Sequence, residues 1–176
     1  AISYGYHEGQ VGYTRRQIKE AKSLIDLFSV FTKKEMRGMT TPRAIPGVAQ
    51  KYSHQERLAI LLNMGNKDNF EALTDSGQFT PGELQAILDH STKKDLDFVQ
   101  SVWDYLDSFW PEIAAAERRR KGTAPERVDA RAFSTRHGDY KGGYFPLRYD
   151  DAKSPETIET LIDDIRFGRL VYRQTR

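Results

Sequence analysis

Residues 95–113 read DLDFVQSVWDYLDSFWPEI, and this stretch carries the apolar pattern on which the fold depends. Thr92 followed by Asp95 is a capping pair that places the start of a long helix at this point. Apolar side chains then recur at steps of three and four residues, and they are Leu96, Val99, Trp103, Leu106, Trp110 and Ile113. Three more widen the stripe, namely Phe98, Val102 and Phe109. An apolar face this wide predicts a helix that is buried between several others.

Pro111 interrupts the pattern and leaves two interpretations open. Because proline has no amide hydrogen and clashes with the preceding turn, it either kinks the long helix or belongs to a new segment that starts near Ser108. In both cases the helical pattern continues to ERRRKG at residues 117–122. Basic side chains followed by a glycine are typical of a helix end.

The residues before this region predict an arm, a helix and a connector. Residues 1–12 are rich in Gly and Tyr and show no period, which indicates a loose arm or an edge strand. Thr14 is a plausible N-cap for a helix that is predicted to end at Gly38. Its apolar positions at helical spacing are Ile18, Ala21, Ile25, Phe28 and either Phe31 or Thr32. Residues 39–52 contain two prolines and no period, so they are predicted to be a connector.

Three short helices are predicted between this connector and the long helix. Ser53 with Glu56 forms a capping box ahead of an apolar run that ends in the sequence NMGN at residues 63–66. Asn66 then serves as the N-cap of a second short helix. Thr80 with Glu83, separated by Pro and Gly, begins the third helix.

After Gly122 the pattern changes to a long extended segment, residues 123–150, which we call the strap. It ends in KGGYFPLRYD at residues 141–150, and it is predicted to contain a small hairpin and to lie over the Trp103–Trp110 helix. Tyr144 and Phe145 are expected either to pack against these tryptophans or to face a partner. Beyond the strap, Ser154-Pro155 caps a predicted helix with one apolar face, formed by Ile158, Leu161, Ile162 and Ile165.

Composition narrows the class of protein. The chain has 176 residues, of which 38% are hydrophobic and 30% are charged, so a single well-solvated domain is the simplest expectation. It contains no cysteine, which excludes disulfides, thiolate metal sites and a cysteine nucleophile and fits a reducing compartment. No apolar run approaches the length of about 18 residues that a membrane span requires, and no signal peptide is visible.

Charge is unevenly distributed although the net charge is only +2. Residues 1–52 and 113–148 each carry +5, residues 166–176 carry +4, residues 53–112 carry −7 and residues 149–165 carry −5. Such alternating blocks either neutralise one another within the fold or expose a basic face to an acidic partner. The first arrangement is the simpler one.

Candidate binding residues fall into three groups. The basic positions are expected to bind phosphates unless they only stabilise helix ends, and they are Arg118, Arg119, Arg120, Lys121, Arg166, Arg169 and Arg173. The strap contributes Tyr144, Phe145 and Arg148. Asn63 and Asn66 form a polar cluster at a helix junction, where such residues usually supply caps and left-handed turns.

The sequence predicts no catalytic residue, no metal site and no cofactor. The four histidines have no metal-ligand spacing, and no phosphate-binding loop, dinucleotide fingerprint or nucleophile elbow is present. Ser134, His137 and Asp139 have the residue types of a hydrolase triad, but they lie within six positions of one loop. Because triads assemble from distant segments around an oxyanion hole, we interpret this as coincidence.

Several motifs together resemble a known module. They are ERLAILLNMGNKDN (56–69), FTPGELQAIL (79–88), DLDFVQSVWDYLDSFWPEIAAAE (95–117), KGTAPERV (121–128) and KGGYFPLRYD (141–150). Over residues 53–150 the chain resembles a module of very large, polyvalent phage and prophage proteins. The resemblance implies a location in the virion or the host-cell cytoplasm, and a chain that is often packaged and injected with the genome. It implies no catalytic residues.

The expected structure is a single, mainly α domain of about six helices, with the strap across it and a basic tail at residues 166–176. We expect this domain to be a fragment of a longer chain. The leading functional hypothesis is a non-catalytic structural or interaction module, with neighbouring domains of the same polypeptide or other virion proteins as partners. The first alternative is a DNA- or RNA-binding domain that uses residues 118–121 and 166–176. The second is an enzyme with a site between residues 63–69 and 134–150.

Overall fold

Helices α3 (His54–Asn63) and α6 (Lys93–Asp107) form the centre of the computed structural model, which describes residues 19–146. The two helices contact each other, and each buries six residues. In α3 these are consecutive from Leu58 to Asn63, because this helix is enclosed on nearly all sides. The predicted mainly helical class is confirmed.

The remaining elements surround this pair. The further helical segments are α1 (residues 19–28), α2 (Lys33–Gly38), α4 (Lys67–Asp75), α5 (Pro81–His90) and α7 (Trp110–Lys121). The predicted hairpin is a two-stranded antiparallel sheet of β1 (Phe133–Thr135) and β2 (Gly138–Tyr140). Among the described residues, no helix is both long and apolar enough to cross a membrane.

Four features predicted from the sequence lie outside the described residues. They are the arm at residues 1–12, the helix after Ser154, the tail at residues 166–176, and the candidate binding residues Arg148, Arg166, Arg169 and Arg173.

Side-chain caps fix where most helices begin. The predicted capping boxes at Ser53, Thr80 and Thr92 are all formed, with each hydroxyl accepting the amide hydrogen of the third helical residue. Asn66 caps α4, as predicted. Each such cap satisfies an amide hydrogen that has no partner within its own helix.

The prediction of one helix from Thr14 to Gly38 was wrong in its second half. Residues 29–32 leave the helix, and Thr32 with Glu35 forms a fourth capping box that begins α2. The capping box of Thr32 and Glu35 thus starts a new helix at a point where α1 was predicted to continue. As a result Ile25, which was expected in the core, is 67% exposed, whereas Leu24 beside it is buried.

Pro111 starts a new helix rather than kinking the long one. Helix α6 ends at Asp107, and the Ser108 amide hydrogen bonds to the Asp104 carbonyl oxygen. Pro111 is then the second residue of α7, where its lack of an amide hydrogen has no cost. Trp103 is therefore fully buried in α6, while Trp110 lies at the start of another helix and is only partly buried.

Two side-chain hydrogen bonds connect the start of α6 to its neighbours. His54 Nε2 of α3 lies 2.7 Å from Asp95 Oδ1, and Lys94 Nζ lies 2.7 Å from Glu35 Oε1 of α2. Burial alone would raise the pKa of Asp95, but hydrogen bonds from His54 and Thr92 outweigh burial and hold it below its usual value of 3.8. The hydrogen bond from Lys94, with those from Thr32, lowers the pKa of Glu35 to about 2.

Acidification is expected to weaken the fold through Asp95. A carboxyl group with a depressed folded-state pKa contributes stability above its unfolded pKa, here 3.8, and that stability is lost as pH falls through the folded-state value. At neutral pH we expect Asp95→Asn to lower the free energy of unfolding by about 2 kcal/mol in urea titrations. The difference between wild type and variant should shrink as pH falls from about 5 to below 3.8. A difference that stays constant over this range would contradict the assignment.

Candidate functional site

The indole of Trp103 lies where the motifs of the sequence meet. Its side chain is 1% exposed, and its Nε1 donates a hydrogen bond to the Leu62 carbonyl oxygen at 3.0 Å. A Cβ atom added at Gly65 would lie under 3.0 Å from three indole carbons, and one added at Gly143 would lie under 3.0 Å from Trp103 Cβ and Cγ. The indole therefore fits only because both positions are glycine.

The Gly65 carbonyl oxygen joins the strap to the α3–α4 turn (residues 63–66). It accepts the amide hydrogens of Arg131 at 2.8 Å and Gly143 at 2.7 Å, so two separate parts of the strap are hydrogen-bonded to the same oxygen atom. Gly142 has a φ of 74°, and a Cβ there would collide with the Gly65 and Arg131 carbonyl oxygens. Two demands, a left-handed backbone and a close approach, make glycine necessary at residue 142.

Three asparagines fix the same junction with side-chain hydrogen bonds. Asn69 Nδ2 donates to the Phe145 carbonyl oxygen at 2.8 Å and to Asn63 Oδ1 at 3.1 Å. Asn63 Nδ2 donates to the Ala59 carbonyl oxygen at 2.9 Å, and Asn66 Oδ1 accepts the Asn69 amide hydrogen at 2.9 Å. The structure thus places the candidates Asn63 and Asn66 inside the protein as connectors between α3, α4 and the strap.

Residues of α6 hold the strap from the other side. Gln100 donates to the Gly142 carbonyl oxygen at 3.3 Å and accepts the Lys141 amide hydrogen at 2.9 Å. The Tyr140 hydroxyl donates to Asp97 Oδ1 at 3.0 Å. Burial, together with this hydrogen bond to a carboxylate, raises the pKa of Tyr140 to about 12.

The two aromatic candidates of the strap have different environments. Phe145 is 6% exposed and belongs to the hydrophobic core that also contains Trp103. Tyr144 is 47% exposed. Phe145 is therefore the aromatic residue of the strap that packs into the core, as predicted for a strap that lies against α6. Tyr144 lies on the surface.

The basic candidates on α7 are unequal. All four are exposed, but Arg120 and Lys121 both bind Glu117, at 2.8 and 3.2 Å. The hydrogen bond from Arg120 is the main reason why the pKa of Glu117 is lowered. Among the described residues, Arg118 and Arg119 form no ion pair, so they carry the charge that a partner could reach.

Arg131 and Gln100 were missed as site residues. The guanidinium carbon of Arg131 lies 3.8 Å from the centroid of the Phe70 ring, a cation–π contact between the strap and α4. Gln100 stands three residues before Trp103, on the same side of α6, and this spacing was the one available signal. Neither Arg131 Nη1 nor Asn66 Nδ2 has a hydrogen-bond acceptor among the described residues.

The junction brings together residues 63–69 and the strap, the two segments between which the second alternative hypothesis places an enzyme site. The interior of this junction is packed. Residues 63–69 and the strap are joined by direct hydrogen bonds, and the glycines leave no space for even a methyl group beside Trp103. A surface depression of ≈ 270 Å³ lies at Pro46, Ala86, Asp89 and His90. No group of His, Cys, Asp or Glu among residues 19–146 has the arrangement of a metal site.

Replacing either glycine at the indole should destabilise the protein strongly. Because the added methyl group would push against a rigid ring, we expect Gly65→Ala and Gly143→Ala each to lower the free energy of unfolding by about 2–3 kcal/mol in urea titrations. Gly82→Ala is the matched control, since a Cβ there would meet no atom closer than 3.9 Å. The control should be neutral or stabilising by about 0.5 kcal/mol. Equal effects of all three changes would contradict this account of the junction.

High pH should loosen the strap through Tyr140. A group with a raised folded-state pKa contributes stability that is complete below its unfolded pKa, here 10.0, and lost as pH rises through about 12. At pH 8 we expect Tyr140→Phe to be less stable than the wild type by about 1 kcal/mol, the value of one hydrogen bond. This difference should begin to shrink above pH 10 and disappear as pH rises through about 12, as measured by urea unfolding at each pH. A difference that does not depend on pH would show that the hydroxyl is not bound to Asp97.

Comparison of the chain with protein-family models, with curated proteins and with solved structures gave no significant match.

Proposed function

We propose that this domain is a non-catalytic structural and interaction module of a large phage or prophage protein. The observation that supports this is the role of the motifs on which the resemblance rests. Gly65, Trp103 and Gly143 come from three separate motifs, and they meet in one packed contact. Residues that have this role specify a fold, so the resemblance is one of architecture and does not point to a reaction.

A module of this kind acts through its exposed side chains. The described surface offers Tyr144 on the strap and the unpaired Arg118 and Arg119 on α7. Neighbouring domains of the same polypeptide and other virion proteins are the proposed partners, in the virion or the host-cell cytoplasm.

Particle purification tests this proposal directly. The full-length chain that contains the domain is tagged, and its amount is measured in purified particles and in the remaining host lysate. We expect the wild-type chain in the particles and a strong loss of the Gly143→Ala chain, whose domain is destabilised. The Gly82→Ala chain is the control and should be retained like the wild type. A wild-type chain that is found only in the lysate would reject the proposal.

Nucleic-acid binding is a second candidate because Arg118 and Arg119 are exposed and unpaired. For this function we expect binding to DNA or RNA that weakens steeply as salt concentration rises. Changing both residues to Ala should reduce the salt dependence by about 1.8 in the log–log slope for duplex DNA. Arg120→Ala is the matched control, since Arg120 is already bound to Glu117 and Lys121 can keep that carboxylate paired. Lack of binding at low salt would reject this candidate.

A further inference from the structure

An unusual apolar surface lies on the first two helices of the described chain. Ile25 is 67% exposed, Val30 is 43% exposed and Met36 is 38% exposed. Helix α2 buries none of its six residues, and only four residues link it to α1. The three side chains therefore lie close together along the chain, with Ile25 on α1, Val30 in the turn and Met36 on α2, and we call this region the α1–α2 surface (residues 22–37).

The α1–α2 surface is also basic. Its exposed cations form no ion pair among the described residues, and they are Lys22, Lys33, Lys34 and Arg37. Of its two carboxylates, Glu35 is paired with Lys94, which leaves Asp26 as the exposed one without a cation. A complementary partner would thus combine apolar side chains with several negative charges.

The chain itself contains such a segment. Residues 149–165 carry six acidic residues and one basic residue, a net charge of −5. Within them, the apolar residues Ile158, Leu161, Ile162 and Ile165 recur at helical spacing, and in a helix this stripe would be bordered by Glu159 and Asp164. This segment complements both properties of the α1–α2 surface. Its apolar stripe would cover the exposed apolar side chains, and its acidic residues would face the cations.

The segment is also within reach. Twelve residues, 147–158, link the last described residue to the first isoleucine of the stripe, and they can span at most about 40 Å. A compact domain of the described length has a radius of gyration of about 14 Å. The strap and α1 both contact helix α6, since Tyr140 of the strap bonds to Asp97 and Phe28 of α1 packs against Phe98.

We propose that residues 155–165 dock on the α1–α2 surface of the same chain. The contact buries Ile25 and Met36 beneath the apolar stripe and pairs the acidic residues of the segment with Lys33, Lys34 and Arg37.

Disulfide trapping tests the contact cleanly because the chain has no cysteine of its own. The test variant carries Met36→Cys and Ile162→Cys, and the control carries Asp75→Cys, an exposed position on α4, with Ile162→Cys. Under mild oxidation at low protein concentration, we expect the test variant to form a disulfide-linked monomer and the control to remain largely reduced. Because salt screens the charge attraction, the yield should fall as salt rises from about 50 mM to about 1 M.

Amide hydrogen exchange on the unmodified chain provides the second measurement. Deleting residues 149–176 should speed exchange in the α1–α2 surface by about tenfold, while α5 should be unaffected. Two trapping results would overturn the proposal: disulfide-linked dimers in place of monomers, or equal trapping in the test and control variants. Two exchange results would also overturn it: unchanged exchange after the deletion of residues 149–176, or faster exchange only when residues 1–18 are deleted instead. Dimers would indicate docking on a second copy, and the last result would indicate that the N-terminal residues cover the surface.

Discussion

The position of the Trp103 indole is the constraint on which the rest of the structure depends. A large ring can be buried at the crossing of two helices and an extended segment only where the opposing backbones come unusually close. Glycines at 65 and 143 allow this approach, and the Leu62 carbonyl oxygen satisfies the indole nitrogen that burial would otherwise leave without a partner. The same position of the indole therefore satisfies both the close packing against the two glycines and the hydrogen bond to Leu62. A shift of the ring would disturb both of them.

Once the indole is in place, the path of the strap follows. Its amide hydrogens meet the Gly65 carbonyl oxygen, Gln100 holds it from α6, and Asn69 holds it from α4. The strap itself has little regular structure, so these contacts replace the ladder of hydrogen bonds that a helix or a long strand would supply. In its described part, these contacts pair the amides of Arg131, Lys141 and Gly143 and the carbonyls of Gly142 and Phe145.

Helix starts could be predicted from the sequence because capping is local. Ser53, Thr80 and Thr92 each stand three residues before a carboxylate, and the structure forms all three boxes. The same pattern at Thr32 was overlooked because the apolar period appeared to continue through it. Convergence of residues 65, 103 and 143 could not be predicted in this way, since it depends on contacts between positions about 40 and 80 residues apart, which no local pattern encodes. The aromatic and glycine content of the strap indicated only that something close-packed would lie there.

The order in which the chain is synthesised gives the strap a further consequence. All the helices of the described range precede the strap in the sequence. The hydrogen bond between Gln100 and Gly142 can therefore form only after the 42 further residues that end at Gly142 have been synthesised. At about 5–20 residues per second, the ribosome needs about 2–8 s to make that stretch. During this interval the indole lacks its cover, and the nascent domain presents an apolar face that a chaperone could bind. Closure of the strap thus removes this apolar face from solvent.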